Sequence, residues 1–86
     1  HISVLEGDAS LLERKSYDVI IANINRNILL NDIHQYANCL NKNGVLFLSG
    51  FYKDDISAIE DECVKHHLKL TETLERNHWV ALKFTN

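Results

Sequence analysis

Three asparagines stand at two-residue steps where an apolar run gives out, in Tyr17-Asp18-Val19-Ile20-Ile21-Ala22-Asn23-Ile24-Asn25-Arg26-Asn27. A carboxamide offers one acceptor oxygen and two N–H donors and carries no charge. Its chemistry is positioning: it holds another polar group in one orientation without exchanging a proton, which can contribute several kcal/mol to a reaction. Asn23 comes first and closes the apolar run, so its side chain leaves the core where a ligand could meet it. Asn25 and Asn27 could line the same mouth, but either also suits the start of a helix, where a side-chain oxygen accepts a first-turn N–H. Arg26 could meet a substrate or simply remain solvated. Ser49, at the end of a second apolar run, either borders the same site or forms a turn with Gly50.

The remaining candidates are thinner. Cys39 and Cys63 form no CxxC pair. Cys63 and His67 could share a helix face, but two further ligands for a closed zinc site are not evident in the sequence. Both thiols read as free and buried. His66 and His67 are adjacent, so on a helix they diverge by about 100° and suit the negative end of its dipole better than a shared metal. Asp8 follows Glu6-Gly7 and can cap a brief helix over Ala9 to Lys15.

These residues sit in a chain of 86 amino acids with 45% hydrophobic and 24% charged residues, the make-up of one small globular unit. A net charge of −3 argues against direct electrostatic binding of nucleic acid, which needs a basic face. No apolar run approaches the roughly 20 residues that span a bilayer, and no secretory signal pattern is present. The reading is of a cytoplasmic protein with reduced cysteines and no membrane contact.

Periodicity then supplies the elements that must position the asparagines. Ile2 to Leu5 reads as a short strand that begins directly after His1, as if the chain were cut inside a larger domain. Tyr17 to Asn23 reads as a parallel strand buried on both faces. Leu29, Ile33, Tyr36, Ala37 and Leu40 mark a helix face, with Asn43-Gly44 closing the helix. Val45 to Leu48 is a second buried strand. Asp54 and Asp55 open a helix with Ile56, Ile59, Cys63 and Val64 inward. Leu68 to Leu74 and Trp79 to Phe84 form an antiparallel hairpin joined by Glu75 to His78, with Trp79 in the core. Alternating strands and helices imply α/β architecture. In such sheets, ligands bind beyond the carboxyl ends of the parallel strands, which is where Asn23 falls.

Four segments occur in a telling order: Glu6-Gly7-Asp8-Ala9, Val19-Ile20-Ile21 leading into Ala22-Asn23-Ile24, Leu48-Ser49-Gly50, and Trp79-Val80-Ala81-Leu82. Together they resemble the second half of a class I S-adenosylmethionine-dependent methyltransferase, and within it the ribosomal protein L11 methyltransferase family, over nearly the whole chain. The resemblance implies the C-terminal half of a Rossmann-like sheet, mostly parallel with a C-terminal antiparallel hairpin and helices on both faces. Residues 1–86 would be one partial domain, lacking the N-terminal cofactor loop and the substrate-recognition domain. The cofactor implied is S-adenosyl-L-methionine. The substrate implied is a large-subunit ribosomal protein, methylated on lysine and N-terminal amino groups.

Under that resemblance Asn23 is both catalytic and cofactor-binding. Its oxygen would orient a deprotonated amine, and its NH₂ would contact the methionine portion of the cofactor. Asp8 would hold the adenine amino group, with the backbone of Ala9 nearby; a helix cap accounts for Asp8 equally well. The chain departs from the family where Gly7, Gly44 and Gly50 are too dispersed for a glycine-rich loop. By the family's strand order, Ile2 to Leu5 would lie beyond two strands this chain does not contain. The strand ending at Asn23 is then expected either to pair directly with Ile2 to Leu5 or to self-associate through its exposed edge. A nucleobase or small-molecule acceptor is the alternative within the same chemistry. The nucleobase version usually follows the strand-end residue with two prolines and an aromatic, and this chain has no proline. A non-catalytic α/β interaction module is the alternative outside it.

Overall fold

The computed structural model describes residues 2–5 and 16–86. Its elements run β1 (Ile2–Leu5), β2 (Tyr17–Asn23), α1 (Arg26–Cys39), β3 (Leu40–Tyr52), a single 3-10 turn (Lys53–Asp55), α2 (Ile56–Lys65), β4 (Lys69–Arg76) and β5 (Trp79–Thr85). The short helix expected over Ala9 to Lys15, with Asp8 at its start, lies outside the described residues.

One five-stranded sheet has the order β1-β2-β3-β5-β4. The α/β class expected from the sequence holds, but the sheet is mixed rather than mostly parallel. β1 with β2 and β2 with β3 are parallel, while β3 with β5 and β5 with β4 are antiparallel. The lengths of the connections explain the division. A helix returns the chain from β2 to β3, whereas β4 and β5 are joined by Asn77 and His78 alone. Both residues adopt positive φ, 50° and 70°, the geometry of a two-residue turn whose twist matches the strands it joins. At the other edge, Ile2 to Leu5 pairs directly beside β2, with Ile2 opposite Val19 and Leu5 opposite Ala22.

Strand register decides which residues form the core. Ile20, Leu46, Phe84 and Leu70 line up across β2, β3, β5 and β4, and Ala22, Leu48 and Leu82 form the next row. Side chains in one row share a face. These rows merge with Leu29, Ile33 and Tyr36 of α1 and with Ile59 and Cys63 of α2 into a single buried cluster. Each fully buried aliphatic side chain contributes about 1.5–3 kcal/mol. The two helices also touch each other, so both lie on the same face of the sheet. Among the described residues the second face carries no helix, and the helix expected over Ala9 to Lys15 lies outside them. Val19 and Ile21 on that face are therefore only half-buried, and Phe47 is exposed. β2 is fully buried on one side and half-buried on the other.

Two boundaries moved. α1 stops at Cys39, because Leu40 turns extended and enters the sheet opposite Tyr17, where it is buried. Asn41 secures that early start of β3 by donating its amide to Asp18 Oδ1 at 2.8 Å. Asn43-Gly44 thus lies inside β3 rather than closing a helix, and Gly44 is required by close approach: a Cβ there would sit 2.7 Å from the carbonyl oxygen of Asn41. Val64, expected inward on α2, is 58% exposed, and Trp79, expected in the core, is 52% exposed.

α2 ends in a left-handed closure without glycine. The N–H of Leu68 donates to the carbonyl of Cys63 and that of His67 to Val64, both at 3.0 Å, with His67 at φ 65°. This is the Schellman arrangement, in which glycine is the usual residue at the left-handed position. Substituting glycine removes the Cβ penalty, so His67→Gly is expected to raise stability by about 0.5–1 kcal/mol in chemical denaturation. An unchanged or lower midpoint would show that the imidazole contributes more there than its backbone costs.

Candidate active site

The carboxyl end of β2 lies beside the last part of β3, with Asn23 opposite Ser49 and the Ile24 N–H donating to the Ser49 carbonyl at 3.0 Å, and β3 runs on past Gly50 to Tyr52. Beyond them the chain turns away twice, into α1 and into the 3-10 turn. Those turns bound a cleft of about 300 Å³ lined by Asn25, Arg26, Asn27, Gly50, Phe51, Tyr52 and Asp55. The four polar and charged side chains in that lining come from the two strand-end segments, 29 residues apart at the Arg26 to Asp55 contact.

The structure separates the asparagines by what their amides do. Asn25 caps α1: its Oδ1 accepts from the Ile28 N–H at 3.1 Å and its backbone carbonyl accepts from Leu29. Asn27 Oδ1 accepts from Arg26 Nη2 at 3.5 Å. Asn23 is exposed, and its carboxamide makes no hydrogen bond among the described residues. It packs closely against Gly50. Gly50 has φ +98°, and a Cβ built on it would lie 2.7 Å from Asn23 Oδ1, 2.8 Å from Ile24 N and 2.9 Å from Ile24 O. Asn23 therefore rests against the bare Cα of Gly50 with its hydrogen-bonding capacity unspent. Its side chain does not itself line the cleft, which it meets through Gly50.

The other expected residues divide. Ser49 pairs with Asn23 and is half-buried, but it lies inside β3 rather than at that strand's end, because pairing with β5 carries the strand on to Tyr52. Asp8 and Ala9 lie outside the described residues. Trp79 joins the region: opposite Tyr52 across β3 and β5, it shares a small hollow of about 120 Å³ with Gly50, Phe51 and Tyr52. Asp55 was read as a helix opener and does more. One carboxylate oxygen accepts the Tyr52 N–H at 3.1 Å and the other meets Arg26 Nη1 at 3.3 Å. No spacing rule links residues 26 and 55, so only the tertiary structure could reveal that pair.

The cysteines and histidines form no comparable centre, and no group of metal-ligating side chains occurs among the described residues. Cys63 is buried under α1 and the sheet, and burial pushes its thiol up to about 12, with Glu62 and Glu60 adding to the effect. Cys39 is only half-buried, against the expectation that both thiols are interior. Thiol-specific alkylation of the folded protein at pH 8 is expected to label Cys39 and spare Cys63, since the thiolate is the reactive form. Equal labelling of both would contradict the closed core. No helix among the described residues is long and apolar enough to cross a membrane.

This geometry has close counterparts. The family model for ribosomal protein L11 methyltransferase (PrmA) matches residues 1–86. The ribosomal protein L11 methyltransferase of Bacteroides fragilis is 55% identical over 84 residues, covering 96% of this chain and 30% of the relative. That of Bacteroides thetaiotaomicron is 52% identical over 85 residues, covering 98% of the chain and 30% of the relative. The chain thus spans a little under a third of the curated relatives it matches. Among solved structures, the ribosomal protein L11 methylase of Lactobacillus delbrueckii subsp. bulgaricus superposes with a TM-score of 0.79 at 25% identity, over 87% of this chain and 38% of that one. A match along the whole sequence, relatives above half identity and the shared sheet agree on one conclusion: the chain belongs to the ribosomal protein L11 methyltransferase family.

Proposed function

We propose that this chain is the acceptor-side part of an S-adenosylmethionine-dependent protein N-methyltransferase that modifies amino groups of a large-subunit ribosomal protein. The observation that carries the reading is the Asn23 carboxamide, clamped against Gly50 at the carboxyl end of β2 with no hydrogen-bond partner among the described residues. An unspent amide at a parallel strand end is available to orient a ligand, as a positioning reaction needs. An amine acceptor must present its lone pair, yet a lysine amine has a pKa of about 10.4 and is mostly protonated near neutrality. The Asn23 oxygen can accept an N–H of the neutral amine and so fix the direction of that lone pair. Its NH₂ would then be left to contact the methionine portion of the cofactor.

S-adenosylmethionine, the cofactor implied by family membership, supplies an electrophilic methyl group when bound. Asn23 fits contact with it, and Asp8 and the backbone of Ala9 are the further residues of this chain proposed to hold it. The chain's three glycines are too dispersed to form a glycine-rich cofactor loop, so these residues make only part of a pocket. The 86 residues alone are accordingly expected to transfer no methyl group and to bind the cofactor weakly. Calorimetry that found tight binding by this span would overturn that division of labour. The functional test is methyl transfer by the full-length protein from labelled S-adenosylmethionine to the ribosomal protein. Labelling of nucleic acid instead, with the protein untouched, would move the acceptor to the alternative class.

A further inference from the structure

We infer that Arg26 and Asp55 form a positioning pair that braces the Asn23 mouth, an inference that rests on reading Asn23 as the acceptor-orienting residue. The two segments that leave the sheet at this mouth are joined by three ties. The Ile24 N–H donates to the Ser49 carbonyl at 3.0 Å, and Asn23 packs on Gly50. Beyond those the segments diverge into α1 and the 3-10 turn, and there Arg26 Nη1 meets Asp55 Oδ1 at 3.3 Å. The second Asp55 oxygen accepts the Tyr52 N–H, so a single carboxylate holds the end of β3 and the start of α1 together. Arg26 extends the brace sideways through Nη2 to Asn27 Oδ1. All four of these residues line the same cleft.

The pair is not an ordinary surface contact. The Asp55 side chain is only 17% exposed and committed through both oxygens, while Arg26 remains 47% exposed. Exposed ion pairs add little to stability because water and salt screen them. The effect expected here is geometric. Arg26 lies three residues after Asn23, and Asp55 lies five after Gly50, so losing the tie frees both sides of the clamp at once. A misplacement of about 1 Å at a positioning group can cost on the order of 100-fold in rate.

The test is a double-mutant cycle in the full-length protein, with Arg26→Gln, Asp55→Asn and the double variant beside Asn23→Ala. Asp55→Asn keeps an acceptor for the Tyr52 N–H while removing the charge. Each single variant is expected to lower kcat about tenfold, with KM for S-adenosylmethionine within about twofold and the thermal midpoint nearly unchanged. The double variant should lose about tenfold as well, not the product, because the two residues act as one unit. Arg26→Lys, which keeps the charge, should recover part of the loss. Wild-type kcat in both single variants, or losses that multiply, would overturn the pairing while an inactive Asn23→Ala left the site intact. Full activity in Asn23→Ala would instead remove the reading on which the pairing rests.

Discussion

Replacing Asn23 by alanine in the full-length protein is expected to lower methyl transfer by about 100-fold or more and to leave the fold unchanged. The first half of that expectation follows from what the carboxamide does. It is clamped against Gly50 at the sheet's carboxyl edge and spends neither donor nor acceptor on any described residue. Removing it takes away the only group in this chain proposed to face both amine and cofactor. The second half follows from the same fact. An exposed amide with no internal partner leaves no buried polar group unsatisfied when it is deleted, so the usual route to destabilisation is closed. Steady-state kinetics and a thermal melt on the same preparation read both halves. Unchanged turnover would take Asn23 out of the reaction, and a collapsed melt would make it structural. Asn23→Asp should be no substitute, because a carboxylate accepts but cannot donate.

Gly50→Ala has the larger structural consequence. The backbone at φ +98° disfavours any side chain, and the added Cβ would press on Asn23 Oδ1 and on both polar backbone atoms of Ile24. Backbone atoms at the end of a paired strand cannot move aside cheaply. A loss of about 1–3 kcal/mol in unfolding free energy is expected, with activity falling further than stability because the amide itself is displaced. Denaturant titration and kcat measured below the melting range separate the two effects. If alanine were accepted with full activity, the clamp on Asn23 would not be what positions it. The two substitutions also check each other. Asn23→Ala removes the nearest side-chain contact, so Gly50→Ala should cost less in stability in that background.

Much of this fold follows from local pattern. The helix face Leu29, Ile33 and Tyr36, the paired apolar runs of β2 and β3, and the hairpin before Trp79 are all visible as periodicity. Each is enforced by the nearest neighbours in the chain. What failed was longer in range. Leu40 was assigned to a helix because it continues the helix period, yet pairing with Tyr17 drew it into the sheet. Helix spacing points Val64 inward and aromatic bulk points Trp79 inward, yet both stand out because the described elements pack only one face of the sheet and one side of α2.

For the site, the sequence by itself determined the residue type and its address: an asparagine at the carboxyl end of an apolar strand, in a segment order shared with a methyltransferase family. Three asparagines at equal steps looked alike in one dimension. Only the tertiary structure tells them apart, committing Asn25 to a helix cap and Asn27 to Arg26 while Asn23 makes no hydrogen bond among the described residues, a difference that supports the role proposed for Asn23. It also brought Gly50 under Asn23 and Asp55 to Arg26. The physical reason is one of range. Capping and strand termination are settled within a few residues, whereas clamps and ion pairs between separate strand ends depend on how β2 and β3 are laid side by side.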